Sequence, residues 1–438
     1  MILPDTIQQC IAALEHAGHA AYAVGGCVRD AYLGLTPGDY DLCTSALPQE
    51  TAAIFCRYPL VLAGEKHGTI GVVTDCGVVE ITTFRQEGDY RDSRHPDWVK
   101  FIPRVENDLA RRDFTINAMA FSPSRGLADP FGGREDLEKG CLRAVGDPWE
   151  RFQEDPLRIL RGMRFAVRYH LTIHPETEKA MVSQAPLMEN PARERVFEEL
   201  CKLLPLVTAE DLERFAPILA AVIPELGPMI GFDQRSPHHA YDLFSHTAHV
   251  VEAVPPDLTL RWAALLHDVG KIPCFTTDET GRGHFYGHAQ AGADMADEIL
   301  RRLKAPNALR EEAVTLIRSH MTRQLTKKAM ARLISRLGFD TTLSLLRLQE
   351  ADMGSKGTGE AKEEDIFPTL YGFWEALREE DACLSIKDLK VDGNDLMALG
   401  LKGKEIGDAL RQLLEEVMEE RLPNEKEALL AFLRQQRR

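Results

Sequence analysis

The stretch from Ala21 to Ser45, AYAVGGCVRDAYLGLTPGDYDLCTS, decides the fold of the first part of the chain. Its β-rich runs AYAVGG and YDLCTS flank the short helical pattern VRDAYLG. Helix and strand patterns alternate up to about Arg143, and GTIGVVTDCGVVEITTFR predicts two strands around a turn at Asp75 to Gly77. We therefore predict an α/β head.

The remainder of the chain has helical patterns. From Trp149 onward, segments such as DPLRILRGMRFAVRY and LRWAALLHDVGK carry apolar residues at helical spacing. The Gly/Lys/Glu-rich stretch from Gly354 to Asp365 has the composition of a linker and precedes a helical tail. The fold class is therefore α+β. The predicted domains are a head at 1–145, a helical neck and body at 146–235, a further helical domain at 236–355, and a linker with a helical tail at 356–438.

Composition and charge exclude several classes of protein. The 438 residues are enough for more than one domain, and the nine cysteines form no C-x-x-C pair, which argues against a disulfide framework or a zinc knuckle. No apolar run could cross a bilayer and the N-terminus is not a signal peptide, so we expect a cytoplasmic protein. The net charge of −16 argues against non-specific coating of nucleic acid. It leaves room for a local basic strip, such as the acid-free stretch from Pro156 to Pro175 with its four arginines.

Two aspartates and a double glycine in the opening stretch predict a site that binds a metal ion and a phosphate. Asp39 and Asp41 are two residues apart, so on a strand both carboxylates would point to one face. Such hard oxygen ligands suit Mg²⁺, which takes its other ligands from water and substrate phosphates. The glycines Gly25 and Gly26 let backbone approach a triphosphate, and Arg29 can add charge-assisted hydrogen bonds. Metal-assisted nucleotidyl transfer is the hypothesis, against the alternative of a turn that merely caps a strand.

Further motifs carry a family resemblance. Together with the opening stretch, RRDFTINAMA (111–120), EDPLRILRGMRF (154–165), DPFGGREDLEKGCLRAVG (129–146) and ERVFEEL (194–200) resemble the class II tRNA nucleotidyltransferases. These are the CCA-adding enzymes, and related bacterial poly(A) polymerases belong to the same family. The resemblance covers nearly the whole chain and implies a polymerase-β-like nucleotidyltransferase head.

The resemblance also implies roles for individual residues of the head. The positions matching Asp39 and Asp41 hold the catalytic metals in this family, and those matching Gly26, Arg29 and Arg112 contact the nucleotide. Glu80, on the predicted strand VVEITTFR, is either a third carboxylate of the site or a hydrogen-bonding strand residue.

Asp155 and Arg158 predict how a base is chosen without a template. They are three residues apart and would be neighbours on one helix face. Arginine offers donors and aspartate offers acceptors, a pattern that matches the amino group and ring acceptor of cytosine and of adenine. Uracil and guanine have a carbonyl in place of the amino group and an N–H in place of the ring acceptor. Their acceptor would face the Asp155 carboxylate and their donor would face Arg158, and a hydrogen-bonding site rejects such mismatches strongly. Arg161 and Arg164 match nucleotide-contacting positions of the family, and Arg168 continues along a similar face.

Two features favour particular branches of the family. The letters NAMA are similar to CCA-adding members rather than to poly(A) polymerases. The charged stretch from Phe84 to Phe101 resembles the complete flexible loop that members adding CC alone lack. A poly(A) polymerase, or a partial enzyme that adds only CC or only A, remains the alternative within the class.

A second constellation lies between residues 236 and 353. Its HD pair follows an apolar run and precedes Gly-Lys, and the set resembles the HD phosphohydrolase domain, in which matching residues bind divalent metal. Imidazoles with carboxylates suit Mn²⁺, Ni²⁺ or Fe²⁺. The predicted ligands are His246, His267, Asp268, His288, His320 and Asp352. A histidine-containing structural core is the alternative here.

The expected function follows from these resemblances. We expect template-independent addition of CCA to the 3′ end of tRNA from CTP and ATP, with Mg²⁺ as cofactor and with an additional HD hydrolase activity. The expected partners are tRNA, CTP and ATP, and we expect neither a membrane nor DNA as a partner. The alternative from another class is an HD phosphohydrolase whose head only senses nucleotide.

Overall fold

The described chain divides into two compact units. The computed structural model describes residues 1–87, 99–236, 240–323, 325–356, 366–380 and 382–436. Residues 1–207 with 214–227 form the first unit, and residues 208–213 with 228–438 form the second. The four predicted domains are a finer division and stay a prediction. Most of the predicted flexible loop (88–98) and of the predicted linker (357–365) lies outside the described residues.

A mixed seven-stranded sheet forms the centre of the head. The strands of the head are β1 (Ala21–Val24), β2 (Asp41–Thr44), β3 (Leu60–Val61), β4 (Thr69–Thr74), β5 (Gly77–Thr83), β6 (Arg85–Glu87), β7 (Val99–Phe101), β8 (Ala120–Ser122) and β9 (Gly126–Ala128). The strand order in the sheet is β3-β4-β5-β2-β1-β8-β9, with β2 parallel to β5 and the other neighbours antiparallel. The predicted pair of strands around residues 75–77 is confirmed as β4 and β5. The antiparallel pair β6-β7 forms a separate ribbon.

Helices surround this sheet and continue the chain beyond it. They are α1 (Asp5–His16), α2 (Gly26–Tyr32), α3 (Pro48–Ile54), α4 (Val105–Ala110), α5 (Gly133–Glu138), α6 (Pro148–Glu154), α7 (Leu157–Tyr169), α8 (Pro175–Gln184), α9 (Arg193–Leu203), α10 (Ala209–Arg214) and α11 (Ala216–Val222). Helix α6 starts at a proline after the capping residue Asp147, whose side chain accepts from the backbone N–H of Trp149. Helix α7 ends at His170, which adopts the left-handed conformation with φ 52°.

The second unit is almost wholly helical, as the sequence predicts. Its helices are α12 (Leu243–Ala253), α13 (Leu258–Leu266), α14 (His288–Arg302), α15 (Asn307–Ser319), α16 (Lys327–Leu337), α17 (Phe339–Gly354), α18 (Phe367–Glu379), α19 (Gly393–Ala398), α20 (Lys404–Met418) and α21 (Lys426–Gln436). Asp242 and Asp257 cap α12 and α13 by accepting backbone N–H groups, which fixes where both helices start. Trp262 of α13 is fully buried.

Two short strand pairs from Cys141 onward were not predicted. Cys141–Leu142 (β10) pairs in parallel with Thr172–Ile173 (β11), and Thr276–Thr277 (β12) pairs with Gly283–His284 (β13). Two residues are too few to show the alternating pattern by which a strand is recognised. All nine cysteines lie in the described part of the chain, and none of them forms a disulfide. Among the helices of the described residues, none combines the length and the apolar character needed to cross a bilayer.

Candidate active site and metal centre

The Gly25–Gly26 turn lies between β1 and α2. Gly25 has φ 77°, a conformation that side-chain-bearing residues rarely adopt, and a Cβ there would lie 2.6 Å from Arg112 Nη1. A Cβ at Gly26 would lie at an ordinary 3.5 Å from Arg29 Nη2. The turn therefore brings bare backbone next to two guanidinium groups, a surface suited to a phosphate.

Three carboxylates gather at one end of the sheet. Asp41 opens β2, and the parallel register sets it opposite Glu80 on β5. Asp39 lies just before the strand rather than on it, a difference from the predicted side-by-side placement. Partial desolvation and the charges of Asp39 and Glu80 raise the pKa of Asp41 to about 6, against the lowering effect of Arg112. A carboxylate whose pKa is raised by neighbouring carboxylates is suited to hold a divalent cation together with them.

Arg112 lies between the turn and these carboxylates. Its side chain is 23% exposed, with Nη2 3.8 Å from Asp108 Oδ2 and Nη1 3.5 Å from the Asn117 carbonyl oxygen. Its Nε is buried and lacks a hydrogen-bond partner among the described residues. A guanidinium with unused donors beside a glycine turn can serve an anionic ligand.

Arg29 is held inside the protein. It is 6% exposed, donates from Nε to Asp30 Oδ1 at 2.8 Å, and donates from Nη1 to Asn117 Oδ1 at 2.6 Å. The guanidinium carbon lies 4.4 Å from the centre of the Tyr169 ring. Arg29 thus lies beneath the turn with a fixed side chain, whereas the sequence predicts direct access to the nucleotide.

The motif RRDFTINAMA contains two further functional candidates, Asp113 and Asn117, that were not predicted from the sequence. Asp113 accepts from Arg161 Nε at 2.8 Å and Nη2 at 2.6 Å, and from Asn117 Nδ2 at 3.0 Å. Burial would raise the pKa of Asp113, but Arg161 and the amide of Asn117 bring it down to about 2. A buried acid and a buried amide four residues apart in a polar motif were the signal that could have identified them.

The predicted sharing of one helix face by Asp155 and Arg158 is wrong. Helix α6 ends at Glu154 and α7 begins at Leu157, so Asp155 lies in the break between them with extended backbone, φ −141°. Pro156 causes this break because the residue before a proline is driven out of the helical region. The Asp155 carboxylate accepts from the Leu157 N–H and from Arg195 Nη2, each at 3.1 Å.

Acidic residues from outside the stretch pair with three of the four arginines of α7. Arg158 is 8% exposed and donates to Glu154 Oε2 at 2.7 Å and to the Arg111 carbonyl oxygen at 3.0 Å. Arg164 forms a buried ion pair with Glu199 at 2.7 Å. Since Arg161 pairs with Asp113, the acid-free sequence from 156 to 175 does not produce an uncompensated basic face at these three positions.

The second predicted constellation comes together in the second unit. Its six side chains form two groups whose ligand atoms lie within 4.8 Å of one another. These groups are His246, His267 and Asp352, and Asp268, His288 and His320. In the described part of the chain, the head carboxylates form no group as close as these.

The four histidine rings share one hydrogen-bonding pattern. Nδ1 of each ring lies within hydrogen-bond distance of a backbone carbonyl oxygen, which places a proton on Nδ1 and leaves Nε2 facing the cluster. The carbonyl partners are Ser355 for His246 (3.1 Å), Ala264 for His267 (2.7 Å), Phe285 for His288 (2.8 Å) and Ile317 for His320 (2.6 Å). The Nε2 atoms of His288 and His320 are only 3.3 Å apart. Two lone pairs so close need a shared cation or proton between them.

Asp268 lies at the centre of the cluster. Neither of its oxygens has a well-aligned hydrogen bond among the described residues, although Lys271 Nζ lies 2.7 Å away and His267 Nε2 3.1 Å away. Burial would raise the pKa of Asp268, but His267 and Lys271 hold it well below its ordinary value. Burial and the neighbouring His267 lower the pKa of His320 to about 4, which keeps this ring neutral. Buried imidazole nitrogens beside ionised carboxylates fit a transition-metal ion.

Known proteins match the chain throughout its length. The Poly A polymerase head domain family matches residues 21–143, the RNA and SrmB binding site family of polymerase A matches 170–213, and the tRNA nucleotidyltransferase domain 2 family matches 284–433. The CCA-adding enzyme of Bacillus velezensis is 32% identical over 96% of this chain and 95% of its own. That of Streptococcus suis is 35% identical over 99% of this chain and 97% of its own.

Solved structures match the fold as well. The Bacillus stearothermophilus CCA-adding enzyme in complex with CTP has a TM-score of 0.70 and 28% identity, covering 100% of this chain and 98% of that one. The Thermotoga maritima CCA-adding enzyme complexed with tRNA has a TM-score of 0.60 and 21% identity, covering 99% and 96%, a likeness of fold.

Proposed function

Because this chain belongs to the family of CCA-adding enzymes, the tRNA nucleotidyltransferases that its motifs resemble, we propose that it adds C, C and A to the 3′ end of tRNA. The nucleotides come from CTP and ATP, and pyrophosphate is released. The observation that carries this proposal is the meeting of Asp39, Asp41 and Glu80 beside the Gly25 turn and Arg112.

Different residues of the head hold the metal ion and the triphosphate during nucleotide transfer. Asp39 and Asp41, with Glu80 as a third acid, would hold Mg²⁺, the divalent ion typical of this chemistry. A bound Mg²⁺ supplies charge stabilisation at the phosphoryl oxygens and a lower pKa for the tRNA 3′ hydroxyl. The Gly25 turn admits the triphosphate to the backbone, and Arg112 donates hydrogen bonds to it.

The base is chosen by Asp155, in the break between α6 and α7, and by Arg158, in the first turn of α7. Asp155 supplies the acceptor and Arg158 the donors that suit cytosine and adenine. Both side chains already have internal partners, Arg195 and Glu154. Binding of CTP or ATP therefore replaces these internal hydrogen bonds with hydrogen bonds to the base. A base with the opposite pattern of donors and acceptors cannot form the replacement bonds, and it leaves Asp155 and Arg158 without partners.

Sequencing of extended transcripts tests the function. We expect the purified chain to complete CCA on tRNA transcripts that end at the discriminator base, at C and at CC, because one site serves both nucleotides. Products are read by sequencing after incubation with CTP, ATP and Mg²⁺. Completion of only some transcripts would make the chain a partial-addition enzyme, and a long A tail would make it a poly(A) polymerase.

The histidine cluster favours a second candidate function, hydrolysis of phosphate esters. The observation is the common orientation of four Nε2 atoms toward Asp268 and Asp352. A transition-metal ion held there supplies a water of lowered pKa. A phosphohydrolase with a merely sensing head would show hydrolysis that survives Asp39→Ala with Asp41→Ala, and no nucleotide incorporation.

Metal binding tests the cluster separately from transfer. We expect His288→Gln to weaken Mn²⁺ or Ni²⁺ binding by at least tenfold, since it removes one of the facing Nε2 atoms. Metal content after dialysis is measured by mass spectrometry, alongside CTP incorporation, which should not change. The matched control is His284→Gln on β13, whose ring bonds Asp278 outside the cluster. Equal metal content in both variants would refute the metal site.

A further inference from the structure

A buried polar chain connects the Gly25–Gly26 turn to helix α7. Arg29 Nη1 donates to Asn117 Oδ1 at 2.6 Å, and Asn117 Nδ2 donates to Asp113 Oδ1 at 3.0 Å. The other oxygen of Asp113 accepts two hydrogen bonds from Arg161 on α7. Residues of three separate sequence motifs are therefore joined by continuous hydrogen bonds.

The end of α7 closes this chain into a ring. The Tyr169 ring lies under Arg29 at 4.4 Å, and its Oη donates to Asp30 Oδ1 at 3.2 Å. Asp30 in turn accepts from Arg29 Nε. Burial raises the pKa of Tyr169 above its ordinary value, so the phenol keeps its proton. Arg161 and Tyr169 are about two helical turns apart on α7. The helix is therefore connected to Arg29 at two places, directly through the Tyr169 ring and indirectly from Arg161 through Asp113 and Asn117.

The ring determines where the Arg29 charge lies. A guanidinium that is 6% exposed depends on its partners for its position and its solvation. Here Asn117 supplies an amide oxygen, Asp30 a carboxylate and Tyr169 an aromatic face. A movement of α7 would therefore move Arg29 relative to the Gly25–Gly26 turn.

We propose that Tyr169 and Asn117 are positioning residues for nucleotide transfer, which hold Arg29 beneath the Gly25–Gly26 turn and make the transfer rate depend on the placement of the base-reading helix α7. The proposal rests on the proposed function of that turn as the phosphate site. Neither residue contacts the nucleotide, and both act through Arg29. Because α7 also carries Arg158, the same helix connects base reading to the phosphate end of the site.

A double-mutant cycle tests this dependence. We expect Tyr169→Leu to lower kcat for CTP addition to a transcript ending in C by about tenfold, with KM for CTP changed by less than about threefold. Tyr169→Phe keeps the aromatic face and should recover most of the rate. In an Arg29→Ala background, Tyr169→Leu should cause no further loss, because the group it positions is gone. Asn117→Ser should behave in the same way and serves if Tyr169→Leu does not fold.

The matched control is Tyr32→Leu. Tyr32 lies on the same helix as Arg29 and packs against Arg134, outside the ring. We expect its kcat to equal that of the wild type. A loss from Tyr169→Leu that is equally large with and without Arg29 would overturn the proposal. A wild-type chain that incorporates no CTP would instead overturn the proposed function, so the two failures are distinguishable.

Discussion

Asp41→Asn is expected to lower kcat for CTP incorporation by about three orders of magnitude. Asparagine keeps the volume and the position at the start of β2 but removes the negative charge opposite Glu80. Charge stabilisation in metal-assisted transfer amounts to several kcal/mol, and each ~1.4 kcal/mol is a factor of ten in rate. Single-turnover incorporation of labelled CTP at saturating Mg²⁺ measures the effect.

A matched acid in the same unit serves as the control for Asp41. Asp75 lies on the exposed turn between β4 and β5, where it accepts a hydrogen bond from Thr6 Oγ1 at 2.8 Å. We expect Asp75→Asn to retain the wild-type rate. If Asp41→Asn stays within tenfold of the wild type, the carboxylates at this end of the sheet do not hold the catalytic ion.

Arg158→Ala is expected to reduce discrimination against UTP by roughly two orders of magnitude. A site built on hydrogen bonds discriminates by about 10⁴–10⁵, and Arg158 supplies the donor half of the pattern. The rate with CTP should fall by less, because the residues at the phosphates are unchanged. Competition between CTP and labelled UTP on a transcript ending in C measures the ratio of incorporation.

An arginine with the same kind of partner provides the comparison for Arg158. Arg134 on α5 pairs with Glu138 four residues away, as Arg158 pairs with Glu154, but its side chain is exposed and it lies on a different helix. Arg134→Ala should leave UTP discrimination unchanged. Unchanged discrimination in Arg158→Ala would show that the base is selected by other groups.

The sequence predicts the fold correctly where apolar residues recur at the spacing of a strand or a helix. Strands β1, β2, β4 and β5 and the helical remainder follow from alternating and helical patterns. The sequence does not decide the role of Glu80, because the parallel register that sets it opposite Asp41 depends on the packing of the whole sheet. Pro156 predicts the break at Asp155, and this local effect overrides the helical spacing between Asp155 and Arg158.

The histidine motif predicts which residues come together, but it does not predict how their rings are oriented. The six residues were identified from the sequence, and the structure brings them together. Their ring orientation depends on local backbone, since His267, His288 and His320 each face the carbonyl oxygen three residues earlier. His246 instead faces Ser355, a contact between residues far apart in the chain, which no local pattern predicts.

The ion pair between Asp113 and Arg161 makes the link between the head and α7 insensitive to pH. The pKa of Asp113 is about 2, below its ordinary 3.8. For a carboxylate with a lowered pKa in the folded state, the stabilisation is complete above the unfolded value and is lost as the pH falls toward the folded value. That loss is confined to roughly pH 4 to 2. In neutral buffers the Asp113–Arg161 ion pair therefore keeps one charge state, and this connection between α7 and the Gly25–Gly26 turn does not contribute to the pH dependence of nucleotide addition.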